Sequence, residues 1–213
     1  MDFKITLITI EKLDEAFDII LDAKKLLSKL SLQWQQGYPY KETIKKDIED
    51  GNLYGCFDEE ELVGIIALVK GFNPDYEFID GKWEIETGHN DLTIHRIAVK
   101  ENYHGKHVGD SMMNFAIYKC KEEGIKSIKA DTHITNKAMQ KLCLNAGMKY
   151  KGIIHLVRKE EDNSRHLTEN NFRFAPIFAT SDQLDSQHAK DENIFVSSLE
   201  PAVNFYKDLL KRL

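Results

Sequence analysis

The stretch RIAVKENYHGKHVGDSMM, residues 96–113, holds the densest group of side chains able to do chemistry. An apolar strand-like run passes through Gly105 and Gly109 straight into a second apolar run with helical character. A helix starting at such a loop leaves its first backbone N–H groups without intrahelical acceptors and turns the positive end of its dipole toward whatever lies ahead. His104, Gly105, Lys106, His107, Val108 and Gly109 are therefore a candidate cradle for phosphate oxygens; the plainer reading is a strand-to-helix turn. Asp110 follows directly, suiting the dipole but repelling an anion, an effect that Lys106 and, when charged, His104 offset. Neither GxGxxG nor GxxxxGK[ST] occurs, so nicotinamide-dinucleotide and P-loop sites have no support.

Upstream, His95 lies in the run LTIHRIAV. An imidazole with an ordinary pKa of about 6.5 suits accepting a proton from an amine, directly or through water, and the alternative is a hydrogen-bonded structural histidine. Strand alternation puts it on the face of Ile97 and Val99. Asp131 and His133 form a second pair at the end of a later strand, and Asn136 reads as the N-cap of the helix that follows. His104 and His107 are three apart with no third and fourth ligand at zinc-like spacing, so no metal is expected. Cysteines at 56, 120 and 143 are odd in number and form no CxxC pair, which fits free thiols in a reducing compartment.

These groups need elements to hold them, and hydrophobic periodicity supplies an α/β order. Alternation at Phe3, Ile5 and Leu7 predicts a strand, and apolar spacing from Leu13 to Leu30 a long helix. The aromatic and amide-rich LQWQQGYPY (32–40) leads to a short helix around Ile44 and Ile48 that Gly51 can end. A hairpin follows, then residues 71–91 as an insertion or mobile loop, then a strand over 92–99. Helices near 109–122 and 136–146 alternate with strands near 125–131 and 149–157, giving a mixed sheet. Residues 1–158 are expected to form one domain, and 159–213 an extension. Within the extension, Pro176 confines a strand at 171–179 to a sheet edge, and a capping box at Ser197 and Glu200 opens an amphipathic terminal helix. That helix would dock on the domain or on a partner subunit, making a homodimer possible.

With 42% hydrophobic and 30% charged residues in 213, the chain has the composition of an ordinary soluble globule. A net charge of −6 argues against nucleic-acid partners. The apolar runs are strand-length rather than membrane-spanning, and MDFKITLITI has no basic leader region, so the expected location is the cytoplasm.

The order Ile97-Ala98-Val99, a spacer, then Tyr103-His104-Gly105-Lys106-His107-Val108-Gly109 resembles motif A of the GNAT N-acetyltransferase superfamily, the segment that holds the pyrophosphate of acetyl-CoA. Asp131-Thr132-His133, Asn136-Lys137-Ala138-Met139, Cys143 and Gly147-Met148 are similar to the family's Asn-x-x-Ala, Tyr, Gly-Phe segment, and the likeness runs over residues 3–157. It implies a mixed central sheet flanked by helices, acetyl-CoA as co-substrate, and transfer to a primary amine, small-molecule or peptide, by direct attack. A non-catalytic acyl-CoA-binding or interaction module is the alternative. By the same resemblance Ile97, Val99 and the 104–109 loop contact the cofactor, a backbone N–H near Val99 meets the thioester oxygen, and Asn136 takes the pantetheine arm. Trp34, Gln35 and Tyr38 then wall the acceptor pocket. Two departures stand out: His104 and His107 replace residues of the usual loop, leaving Gly109 as the matching glycine, and Cys143 stands where the family commonly has a tyrosine acid. The cysteine is either a proton donor to the leaving sulfur or a small packing residue.

Overall fold

ELVGIIALVK is apolar at nearly every position, the pattern of a strand covered on both faces. It forms β3 (Glu61–Lys70), buried continuously from Leu62 to Leu68, in a computed structural model that describes residues 3–30, 33–34, 37–85, 87–156 and 169–176. Around it lie β1 (Lys4–Leu7), β2 (Leu53–Asp58), β4 (Asp80–Gly81), β5 (Asp91–Val99), β6 (Ser127–His133), β7 (Met148–Leu156) and β8 (Glu169–Pro176). They make one sheet in the order β1-β2-β3-β5-β6-β8-β7-β4. The β5–β6 pair is parallel and the remaining pairs are antiparallel.

Helices cover both faces. On one side α1 (Leu13–Leu27) and α2 (Lys41–Glu49) bury Ala16, Ile19, Ile20 and Ile44 against Leu53, Ile65, Ala67 and Ala98. On the other, α3 (Val108–Glu122) presses Val108, Met112, Met113 and Ala116 onto Val63, Ile66, Leu92 and Ile94, while α4 (Lys137–Asn145) adds Cys143. Gly64 permits this close approach: a Cβ there would stand 2.9 Å from Val108 Cγ1 and 3.2 Å from the Ala98 carbonyl oxygen. The three cysteines are free and buried. Among the described residues no helix is long and apolar enough to cross a membrane.

Two expectations change. The strand at Glu169–Pro176 is interior, between β6 and β7, rather than at an edge. Pro176 is its last residue, where a missing donor falls at the end of the ladder. The segment after β3, expected as an insertion or mobile loop, carries structure of its own: β4 pairs with β7, and Tyr76 and Trp83 bury themselves with Ile154 in a small third cluster. Two large aromatic rings bury enough apolar area to fix a loop rich in turn residues. The expected terminal helix at 197–213 lies outside the described residues.

Candidate functional site

β5 and β6 pair only from Asp91–Ser127 to Ile94–Ala130. Past that point β5 continues to Val99 along β3, while β6 continues to His133 along β8, so the two strands part. Backbone groups on the facing edges of 95–99 and 131–133 are thereby released from each other, and α3 begins just after β5 ends. The parting coincides with a bulge. Ile65 pairs with Ala98 but Ala67 with His95, so β5 has one residue more than β3 between the two pairs, and Arg96 takes φ 45°.

The extra residue changes the phase of the strand. Leu92, Ile94, Ile97 and Val99 all pack toward the α3 core, whereas Ala98 belongs to the α1 core. His95 lies opposite Ala67, itself part of the α1 core. His95 therefore faces away from Ile97 and Val99, correcting the shared face expected from simple alternation. Loss of water, with the Arg96 charge beside it, pushes its imidazole down to about 3, so the ring is neutral near neutral pH.

Arg96 itself is the best-held side chain of the site. Its Nε and Nη2 donate to Asp47 Oδ2 and Oδ1 at 2.5 and 2.7 Å, and Nη1 donates to the Tyr38 hydroxyl at 3.1 Å. Asp47 lies on α2 with its side chain 8% exposed, against 10% for Arg96. The loop between α1 and α2 is further tied by Lys24 Nζ, which donates to the Gly37 carbonyl at 2.7 Å, and by Gln33 Oε1, which accepts from Asn136 Nδ2 at 3.1 Å. Trp34 packs on the edge of the α1 core, and Gln35 lies outside the described residues.

On the α3 side the 104–109 loop is rigidly built. Tyr103 is buried and its hydroxyl joins Asp58 Oδ2 and Glu61 Oε2 at 3.0 and 2.9 Å, pinning the loop to the β2–β3 hairpin. Lys106 Nζ sits 4.2 Å from the centre of the same ring. His104 Nε2 donates to the Val99 carbonyl at 3.0 Å, closing the loop on the strand end. Gly105 takes φ 78°, and no atom lies within 4 Å of where its Cβ would be. His107 is the N-cap of α3 at φ 64°, the left-handed conformation in which a side chain need not obstruct the backbone. Its Nδ1 donates to Asp110 Oδ2 at 2.8 Å, which partly answers the repulsion that Asp110 would exert on an anion. The amides of Val108, Gly109 and Asp110 begin the helix and have no intrahelical acceptors.

At the far wall, Asn136 caps α4, its Oδ1 accepting from the Met139 amide at 3.1 Å. Tyr76 donates to Asp131 Oδ1 at 2.6 Å, and His133 Nδ1 lies 2.8 Å from Thr135 Oγ1. Cys143 is wholly buried, and burial together with the nearby Asp131 charge pushes its thiol up to about 12. Thr132, two residues past the last β5–β6 pair, is 1% exposed and its Oγ1 has no partner among the described residues.

The model of the acetyltransferase (GNAT) family matches residues 20–148. The chain belongs to this family. Its GNAT fold is shared with an acetyltransferase of that family from Streptococcus agalactiae 2603, with TM-score 0.70 and 24% identity, covering 84% of this chain and 96% of that one. The PaiA N-acetyltransferase of Thermoplasma acidophilum, solved in complex with coenzyme A, has TM-score 0.58 and 18% identity over 83% of this chain and 99% of that one. A ribosomal-protein-alanine N-acetyltransferase from Brucella melitensis has TM-score 0.61 and 17% identity over 82% and 99%. No curated protein matches in sequence.

For a GNAT protein the implied ligand is a diphosphate carrying an amide-bearing arm, and the residues present fit it. Free amides at the start of α3, the open space at Gly105 and the left-handed His107 suit the diphosphate. Released strand edges and the Thr132 hydroxyl, unpartnered among the described residues, suit the arm, since a buried unpaired hydroxyl costs about 1–3 kcal/mol until something bonds it. Sequence reasoning assigned no role to Arg96, Asp47 or Tyr103, whose side-chain hydrogen bonds join β5 to α2 and the 104–109 loop to the β2–β3 hairpin.

Proposed function

We propose that this chain transfers the acetyl group of acetyl-CoA to a primary amine, on a small molecule or a peptide, by direct attack. The observation that carries the reading is the parting of β5 and β6 at a bulge beside the start of α3. Bound there, acetyl-CoA supplies an electrophilic thioester carbonyl and a thiolate leaving group. The α3 amides and Lys106 hold the diphosphate, and Ile97 and Val99 line the arm. A backbone N–H released by the bulge meets the carbonyl oxygen as negative charge develops on it.

His95 works in its neutral form. Taking a proton from a free ammonium of pKa about 10.4 onto an imidazole at about 3 is uphill by roughly 10 kcal/mol. The amine therefore arrives already neutral. As the carbon–sulfur bond breaks, the attached nitrogen becomes that of an N-protonated amide and turns strongly acidic, and His95, directly or through water, accepts its proton. Water protonates the leaving sulfur, because Cys143 is packed in the core with its thiol at about 12. Three buried free thiols support a reducing compartment such as the cytoplasm.

The rival reading, an acyl-CoA-binding module without catalysis, is favoured by that same lack of an acid at position 143. Calorimetric titration of CoA and acetyl-CoA, followed by an amine panel, separates the two. Micromolar binding with turnover of at least one amine supports the transferase; equal binding with no turnover across the panel supports the module. Absence of binding by both the wild type and His107→Gly overturns both.

A further inference from the structure

We propose that Arg96 is a positioning residue for acetyl transfer: it holds the β5 bulge in the shape that turns a backbone N–H toward the thioester carbonyl. The proposal rests on the transferase reading above.

The extra residue in β5 is skipped by β3, and β6 has already parted from β5 at Ile94. β6 offers no pairing beyond Ile94 and the register with β3 shifts here, so regular ladder pairing does not by itself set the orientation of this peptide. A non-glycine residue at φ 45° occupies a region that side chains resist, so it persists only where the surroundings impose it. The Arg96 side chain supplies that constraint. A guanidinium meeting a carboxylate through two parallel bonds is fixed in plane as well as in distance, which a lysine ammonium cannot reproduce. Its partner Asp47 sits on α2, an element outside the sheet, so the bulge is referenced to the helix layer rather than to its own strand. Both groups are almost removed from water, so salt screens the pair little and losing one partner leaves a buried charge. The third bond, to the Tyr38 hydroxyl, ties the same guanidinium to the loop expected to wall the acceptor. One side chain thus links the atoms that would grip the carbonyl to the surface that would present the amine.

The test needs no knowledge of the amine. Isotope-edited infrared spectra of [1-13C]acetyl-CoA are recorded free and bound to wild type, Arg96→Lys and Asp47→Asn, with CoA titrated into each protein as a control. In the wild type the carbonyl band moves to lower frequency on binding; in either variant more than half of that shift is lost. Acetyl-CoA affinity falls about three- to tenfold, as for one lost hydrogen bond, while CoA affinity stays within about twofold because the α3 cradle is untouched. Asp47→Asn keeps the shape of the partner and carries the test if Arg96→Lys does not fold. Variants that bind CoA normally and keep the wild-type band overturn the proposal. Joint loss of the shift and of CoA binding in both variants also overturns it, making the pair a prop for the whole fold. A wild type that binds acetyl-CoA with an unshifted carbonyl overturns it too, whereas a wild type that binds no acetyl-CoA overturns the transferase reading itself.

Discussion

His95 couples the site to acid stability. In the folded chain its imidazole titrates at about 3, because burial and the Arg96 charge disfavour the cation. In the unfolded chain it titrates near 6.5. A depressed histidine pKa means that the unfolded state takes up a proton the folded state refuses, so stability falls as pH falls from about 6.5 toward 3. At about pH 7.5 neither state is protonated and the effect is below about 0.1 kcal/mol. At about pH 5 the unfolded imidazole is some 97% charged and the folded one about 1%, which lowers stability by roughly 2 kcal/mol. His95→Gln removes the titrating group, so the mutant curve of unfolding free energy against pH lacks this component. Urea unfolding of both proteins at five or six pH values between about 5 and 8 measures it: the wild-type curve drops toward acid by roughly 2 kcal/mol more than the mutant's. Parallel curves refute the neutral imidazole of depressed basicity and, with it, the argument that the amine must arrive neutral.

Gly64→Ala pushes a methyl into Val108 and toward the Ala98 carbonyl, and is expected to cost about 1–3 kcal/mol in chemical denaturation. Since Val108 opens α3, CoA affinity falls along with stability; a destabilised variant with unchanged CoA affinity would separate the packing from the cradle. Cys143→Ala keeps kcat within about twofold and costs about 1 kcal/mol of stability from lost packing. A loss of kcat beyond about tenfold, or acetylated wild-type protein in mass spectra without acceptor, would restore a chemical role to the thiol.

Most regular elements were legible because each carries its own period. The expected helices near 109–122 and 136–146 and the strand at 92–99 lie within one residue of α3, α4 and β5, and the side-chain cap at Asn136 is present. β8 was misplaced at an edge because strand order depends on partners far away in sequence, here Ala130 and His133 of β6 and Met148 to Leu156 of β7. The segment after β3 read as a loop because its turn residues are local, while the contacts of Tyr76 and Trp83 with Ile154 are not.

The face of His95 is a different kind of miss, since its signal was in the sequence. In DLTIHRIAV the apolar residues step by two from Leu92 to Ile94, by three to Ile97, then by two to Val99. An uninterrupted strand cannot keep those four on one face; a strand with one extra residue between 94 and 97 can, and the bulge at Arg96 lies there. A charged residue at the point where the phase slips then requires a partner within the protein. That partner was marked as well: Asp47 stands three after Ile44 and one before Ile48, an acid on the apolar face of a short helix, where burial is costly without a cation. Two local irregularities, each unexplained within its own element, are resolved by a single ion pair between them.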